Sequence, residues 1–167
     1  MTSAAEQTRS DIVAMLPRLR RFARALTGSP ADADDIVQIA VERALMRIDQ
    51  FQQGTRLDSW LFSITRNAWI DEARWRTRHG KVFAPAEAGE QVGFGGEAEV
   101  HAKLEADDVW IAMRKLPGEQ REAIALVCVE GLAYREAADA LGVPIGTLTS
   151  RLARGREALQ TMLGAAR

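Results

Sequence analysis

The sequence predicts an all-α protein of two small helical domains joined by a flexible acidic linker, the C-terminal one carrying a helix–turn–helix. Three observations lead there. Apolar residues recur every three or four positions through each long segment, and no convincing strand pattern appears. One stretch after Gly80, KVFAPAEAGEQVGFGGEAEV, breaks that period with Gly89, Gly93, Gly95, Gly96, a proline and several carboxylates. Leu132 to Leu163 reads as two helices about a tight turn. The expected division is 8–79 for the first domain, 80–101 for the linker and 102–164 for the second.

Taking the elements in order, Thr8 to Leu26 carries Ile12, Met15, Leu16, Leu19, Phe22 and Ala23 on one side of a helix. Arg18, Arg20, Arg21 and Arg24 lie mostly on the other, and Thr27-Gly28-Ser29-Pro30 is a stop signal. A second helix is expected from Ala31 to Phe51, with Ile36, Val37, Ala40, Val41, Ala44, Leu45 and Ile48 as its apolar set. Asp32, Asp34 and Asp35 crowd its first turn, where carboxylates meet the positive end of the helix dipole. That placement alone is sufficient reason for them; their spacing demands no metal.

After Gln52-Gln53-Gly54-Thr55, a third helix is expected from Leu57 to His79, with Leu57, Leu61, Ile64, Ala68 and Trp75 on its apolar face. A neighbouring arc holds Arg66, Asn67, Asp71, Arg74, Thr77 and Arg78, with Trp60 and Trp69 beside it. Arginines can track phosphates, aromatic faces accept unstacked bases, and an asparagine can read an exposed base edge. For any single tryptophan a core position is the plainer reading; for the whole arc, DNA is.

Beyond the linker, helices are expected over Ala102 to Lys115, with Leu104, Val109, Trp110 and Met113, and over Glu119 to Val129, with Leu116-Pro117-Gly118 between them. Ala133 to Leu141 comes next, with Ala137 and Ala138 small enough for close packing. Gly142-Val143-Pro144 turns the chain by a left-handed cap and a proline stop. On the last helix Leu148, Leu152, Leu159 and Leu163 share one face with Gly155 and Met162. The opposite arc has Thr149, Ser150, Ala153, Arg154 and Glu157, with Arg151 and Arg156 on its flanks. Hydroxyls and guanidiniums on the face away from a buried stripe suit a major-groove recognition helix. An ordinary hairpin with a solvated basic face is the bland alternative.

Composition bounds the function. Hydrophobic residues are 47% of 167, and the one cysteine, Cys128, sits in an apolar run where a core position is expected. No disulfide or cysteine-based metal site is implied, no cofactor is expected, and a reducing, cytoplasmic compartment is. No signal peptide or membrane-length apolar window is found. Net charge is −1, yet Ser63–Val82 carries five basic residues against two carboxylates and Pro144–Arg167 four against one. Ala86–Asp108 has one lysine against seven carboxylates. Two basic patches about an acidic connector fit two DNA contacts.

In order, ADADDIVQIAVERALMRIDQF (31–51), LDSWLFSITRNAWIDEARWRTR (57–78) and LPGEQREAIALVCVEGLAYREAADALGVPIGTLTSRLARGREAL (116–159) resemble a bacterial RNA polymerase sigma factor of the small extracytoplasmic-function group. The resemblance implies a promoter-specificity subunit that binds core RNA polymerase and promoter DNA and is controlled by an anti-sigma factor. It implies polymerase contacts on the β′ clamp helices from Asp34, Asp35, Gln38 and Glu42. For the −10 element it implicates Arg66, Asn67, Asp71 and Arg74, to which the basic–aromatic arc adds Trp60, Trp69 and Arg78. For the −35 element it implies Tyr134, Arg135, Thr147, Thr149, Ser150, Arg151 and Arg154. Two positions depart from the pattern: Ile39 stands where the family usually has an acid, and Thr149 where a basic residue is common. The phrases Arg-Ala-Leu-Thr and Ile-Asp-Gln-Phe resemble general-stress members of the group.

Three other classes compete. A sigma-like decoy that titrates an anti-sigma factor without reading DNA predicts eroded basic arcs, and both arcs are present. A two-domain repressor or activator leaves the acidic helix 31–51 and the Trp–Arg helix unexplained as a set. An enzyme fits least: the histidines, His79 and His101, fall at or near the linker, and no phosphate loop, metal-ligand spacing or nucleophile–base pair is present.

Overall fold

The computed structural model describes residues 3–80 and 107–165, which form seven α-helices and no strand. The expected linker, apart from Gly80, and the start of the helix expected from Ala102 lie outside these described residues. No helix among them is long and apolar enough to cross a membrane.

Helix α1 runs Ala4–Thr27. It begins earlier than its apolar stripe because Ser3 and Glu6 form a reciprocal capping box ahead of it. Gly28 ends it, Ser29 caps the next helix through the Asp32 amide, and Pro30 occupies the first turn of α2, Pro30–Met46. The expected continuation to Phe51 is replaced by a tighter 3₁₀ turn, Ile48–Gln50. That turn keeps Ile48 buried and leaves the Phe51 ring 5.2 Å from Trp60. Helix α3, Leu57–Arg78, closes a three-helix packing around Phe22 and Phe62, which meet edge to face at 5.0 Å. Two residues assigned to apolar faces are exposed instead. Leu45 is 42% accessible, and Trp75 stacks on His79 at the open end of α3.

The chain is next helical over 107–115 (α4), then over Gly118–Ile124 (α5). The single helix expected to Val129 is instead finished by a π-type turn, Ala125–Val129, where the Glu130 amide reaches back five residues to the Ala125 carbonyl. The widened turn rotates the residues at its end: Cys128, expected in the core, is exposed, and the Glu130 side chain is buried. Helix α6, Tyr134–Leu141, ends at Gly142 with φ 67°, a left-handed conformation that a β-carbon would strain. Helix α7, Ile145–Ala165, buries Leu148 and Leu152 as expected. Gly155 lets it approach α5 closely, since a β-carbon there would sit 3.0 Å from Ile124 Cγ1.

One half-buried cation joins α1–α3 to α4–α7. The Arg121 guanidinium on α5 donates to the carbonyls of Met113, Arg114 and Leu116 at 2.9 Å, and to Leu26 at 2.7 Å. These carbonyls lie at or just beyond the C-terminal ends of α4 and α1, the negative ends of the helix dipoles, and that of Met113 also accepts the Leu116 amide at 3.1 Å. Burial pulls the Arg121 pKa down, with nearby Arg114 adding to the effect.

Candidate nucleic-acid interface

Helix α2 sorts its carboxylates by phase. Asp32 is buried and bonds Arg76 of α3 at 3.1 Å, so it holds the fold. Asp34, Asp35, Gln38 and Glu42 all face solvent on the opposite side. Among the described residues, only Asp34 of these has an ion-pair partner within 4 Å, Arg20 at 3.7 Å, and both are well exposed. The stripe continues into Leu45 and Met46, the latter 86% accessible. Periodicity could have found them, because Leu45 is in phase with Asp34 and Gln38. Ile39 lies at the edge of this stripe, half-buried against the core, a contact that an acid there would lose.

On α3, Trp60, Asn67, Arg74 and Arg78 fall within about 40° of one line along the helix. Asn67, Arg74 and Arg78 are exposed, while Trp60 is half-buried against Phe51 at the start of that line. Asp71 is exposed but bonded to Arg43 of α2 at 2.8 Å. Trp69 lies on the far edge of the arc, against Gly118 and 6.0 Å from the Arg121 guanidinium. It walls a shallow groove of about 440 Å³ with Ile70, Ala73, Arg74, Thr77 and Arg78. Arg66 is engaged from across the seam, its Nε donating to Glu122 Oε1 at 3.0 Å. Burial pushes the Glu122 carboxyl up from its ordinary range, opposed by Arg66, and its Oε2 has no hydrogen-bond partner among the described residues.

On the helix–turn–helix, Tyr134, Arg135, Thr149, Ser150 and Arg154 are exposed on α6 and the first turns of α7. Thr147 is half-buried, and Arg151 leans on Glu119 at 3.5 Å. Thr149 donates to its own Ile145 carbonyl at 2.8 Å, which occupies its only proton and leaves its lone pairs outward. The site residues thus fall on three surfaces, on α2, on α3, and on α6 with α7, of which Trp60, Arg66, Trp69, Thr147 and Arg151 are only partly exposed. Sequence reasoning missed the carboxylates Glu122 and Glu130, which meet arginines of α1 and α3. Neither has a local signature, because their partners lie 56 to 112 residues away.

Comparison with known proteins places these surfaces in context. The family model described as the Sigma2 domain of PhyR matches residues 12–66, and that of sigma-70, region 4, matches 107–159. The chain is 39% identical to the ECF RNA polymerase sigma factor EcfG of Rhodopseudomonas palustris, over 95% of this chain and 86% of that protein. It is 36% identical to the ECF RNA polymerase sigma factor SigM of Mycobacterium tuberculosis, over 88% and 72% respectively. Among solved structures, the sigma factor RpoE in complex with the anti-sigma factor NepR from Bartonella quintana superposes with a TM-score of 0.82 at 33% identity. That match covers 97% of this chain and 99% of the other.

Proposed function

The chain belongs to the ECF RNA polymerase sigma factors, and we propose that its three surfaces divide the work of promoter-specific initiation. The stripe Asp34, Asp35, Gln38, Glu42 docks on the clamp helices of the polymerase β′ subunit. The α3 arc of Trp60, Arg66, Asn67, Trp69, Asp71, Arg74 and Arg78 melts and reads the −10 element. The α6–α7 arc of Tyr134, Arg135, Thr147, Thr149, Ser150, Arg151 and Arg154 reads the −35 element. The domain division 8–79 and 102–164 matches these roles. The protein acts in the cytoplasm, where its polymerase is, has no reaction of its own, and is controlled by an anti-sigma factor, a reading supported by the Bartonella relative's complex with one. The observation that carries this reading is the phase of α7: Leu148 and Leu152 are fully buried while Ser150 and Arg154 on the other side are exposed.

Transcription in vitro from a genomic fragment library, using bacterial core polymerase with and without this protein, tests the whole reading. New discrete start sites sharing two upstream sequence blocks are expected. Folded protein and active core enzyme that yield no new start sites would bring the decoy reading forward. Two substitutions separate the arms. Arg154→Ala should weaken binding to the upstream block by about tenfold to a hundredfold, as loss of a bidentate base contact does, and leave polymerase affinity unchanged. Equal promoter affinity would remove it from the reader. Asn67→Ala should slow promoter opening by about fivefold, one neutral hydrogen bond's worth, with little change in initial binding. An unaltered opening rate in stopped-flow fluorescence would exclude it.

A further inference from the structure

Asp71 is the odd charge on the face it occupies. It lies four residues along α3 from Asn67 and three from Arg74, so it sets a carboxylate in a line whose other charges, Arg74 and Arg78, are positive. A bare carboxylate there would repel the phosphates that those arginines attract. Asp71 does not pair with Arg74, the nearest cation on its own helix. Among the described residues Arg74 and Arg78 form no ion pair, and Asp71 Oδ2 instead accepts from Nη1 of Arg43, on α2, at 2.8 Å.

This bond is not what holds α2 to α3. The Arg43 side chain is 34% exposed and that of Asp71 55%, and wetted pairs of this kind stabilise little. The buried Asp32–Arg76 bond already joins the two helices, and Ile36, Ala40 and Ala44 of α2 share one core with Leu61, Ile64 and Ala68 of α3. What the bond does is carry a guanidinium from α2 to the exposed face of α3, with its Nε and Nη2 bonded to no described residue.

We propose that Arg43 is a further DNA-contacting residue of the −10 surface, placed on a backbone phosphate by Asp71, which positions the guanidinium and reads no base. The proposal rests on the assignment of the α3 arc to the −10 element. A guanidinium has five N–H donors, so one bond to Asp71 leaves most of its fork open to a phosphate. The carboxylate also fixes the direction of a long side chain beforehand, which lowers the entropy cost of ordering it on DNA. Arg43 has no local signature as a DNA contact, since its partner lies 28 residues away.

The test uses the whole chain assembled with core polymerase, on duplex fragments carrying the start sites found by transcription in vitro. Fluorescence anisotropy gives the affinity as salt rises from about 50 to 200 mM. Arg43→Ala should lower affinity by about tenfold on every fragment, whatever its sequence. It should also flatten the slope of log affinity against log salt by one phosphate's worth, ~0.7 to 0.9. Arg43→Lys should restore most of the slope, since an ammonium also meets a phosphate. Asp71→Ala supplies a sign. Binding would tighten if Asp71 merely repelled phosphates, and preference at one base pair would blur if it read a base. As a positioning residue it should weaken binding about threefold on all fragments, and not at all in the Arg43→Ala background.

A salt slope unmoved by Arg43→Ala overturns the proposal, as does tighter binding or one lost base preference with Asp71→Ala. A lowered thermal midpoint with an unchanged slope marks the pair as structural only and overturns it equally. Arg43→Gln, which keeps the aliphatic stem, repeats the measurement should alanine unfold the chain. Core polymerase affinity is measured in parallel, because Arg43 adjoins Glu42, and should not change; a loss confined to it overturns the proposal. Arg74→Ala separates Arg43 from the arc beneath it. A slope that falls with Arg74→Ala but not with Arg43→Ala overturns the placement of Arg43 alone. A slope that falls with neither, or a chain that yields no start site, removes the −10 assignment and the proposal together.

Discussion

Arg121→Ala is expected to lower the thermal midpoint by about 10 °C, near 3 kcal/mol for a chain of this size. The effect of the side chain is chiefly electrostatic and directional. Four carbonyls receive its protons, at 2.7 to 2.9 Å, and they lie at the negative ends of two helices. Alanine takes the side-chain donor from all four carbonyls in a partly buried junction, where a polar group without a partner is costly. The ring of Trp69 loses its cation at the same time. Arg121→Lys separates charge from geometry, since an ammonium keeps the charge but cannot fork to four acceptors, and it should recover less than half of the loss. Differential scanning calorimetry decides the matter: a midpoint within about 2 °C of the parent for the alanine variant would mean that the carbonyls are satisfied without the guanidinium.

Arg121 also marks the boundary of what could be read from the residues alone. Local signals were legible: the Gly142–Pro144 turn, the leucine stripe of α7 and the length of α3 all depend on neighbours within one or two turns. The Ser3–Glu6 capping box is equally local, but it precedes the apolar stripe, and the stripe alone puts the start of α1 too late. The π turn at Ala125–Val129 was hidden, because a run of apolar residues keeps the same composition whichever way one extra residue rotates it. Cys128 and Glu130 therefore exchanged environments, the thiol going out and the carboxylate in. Trp75 is in phase with Ile64 and Ala68, yet the last turns of α3 run past the core, and its ring stacks on His79 while 40% exposed. The glutamates of the seam could not be paired at all, since pairing across 56 or more residues is a property of how the halves dock. Exposure was more legible than contacts: the four residues assigned to α2 are exposed, and the −35 set is exposed but for Thr147 and Arg151.

Asp35→Arg combined with Glu42→Arg is expected to reduce affinity for core polymerase by about a hundredfold or more while leaving the fold intact. The fold should not change because both carboxylates face solvent, and no ion pair or side-chain hydrogen bond among the described residues uses them. Surface changes of this kind move stability by about 0.5 kcal/mol or less. On the proposed docking role of this stripe, binding should suffer because reversal does more than remove an attraction: it puts cations where an acidic stripe would meet its partner, and repulsion would act on association as well as on the complex. Asp32→Asn is the complementary variant. It should leave polymerase affinity unchanged but lower stability, since it removes the charge that Arg76 meets at a buried position. The contrast distinguishes Asp32 from Asp35, two first-turn aspartates that a dipole argument treats alike. Met46→Ala adds an apolar probe at the end of the same stripe: a further loss of affinity would extend the docking face past the carboxylates to the end of α2. Polymerase affinity that survives the double reversal, measured by fluorescence anisotropy at low salt, would remove this face of α2 from the interface.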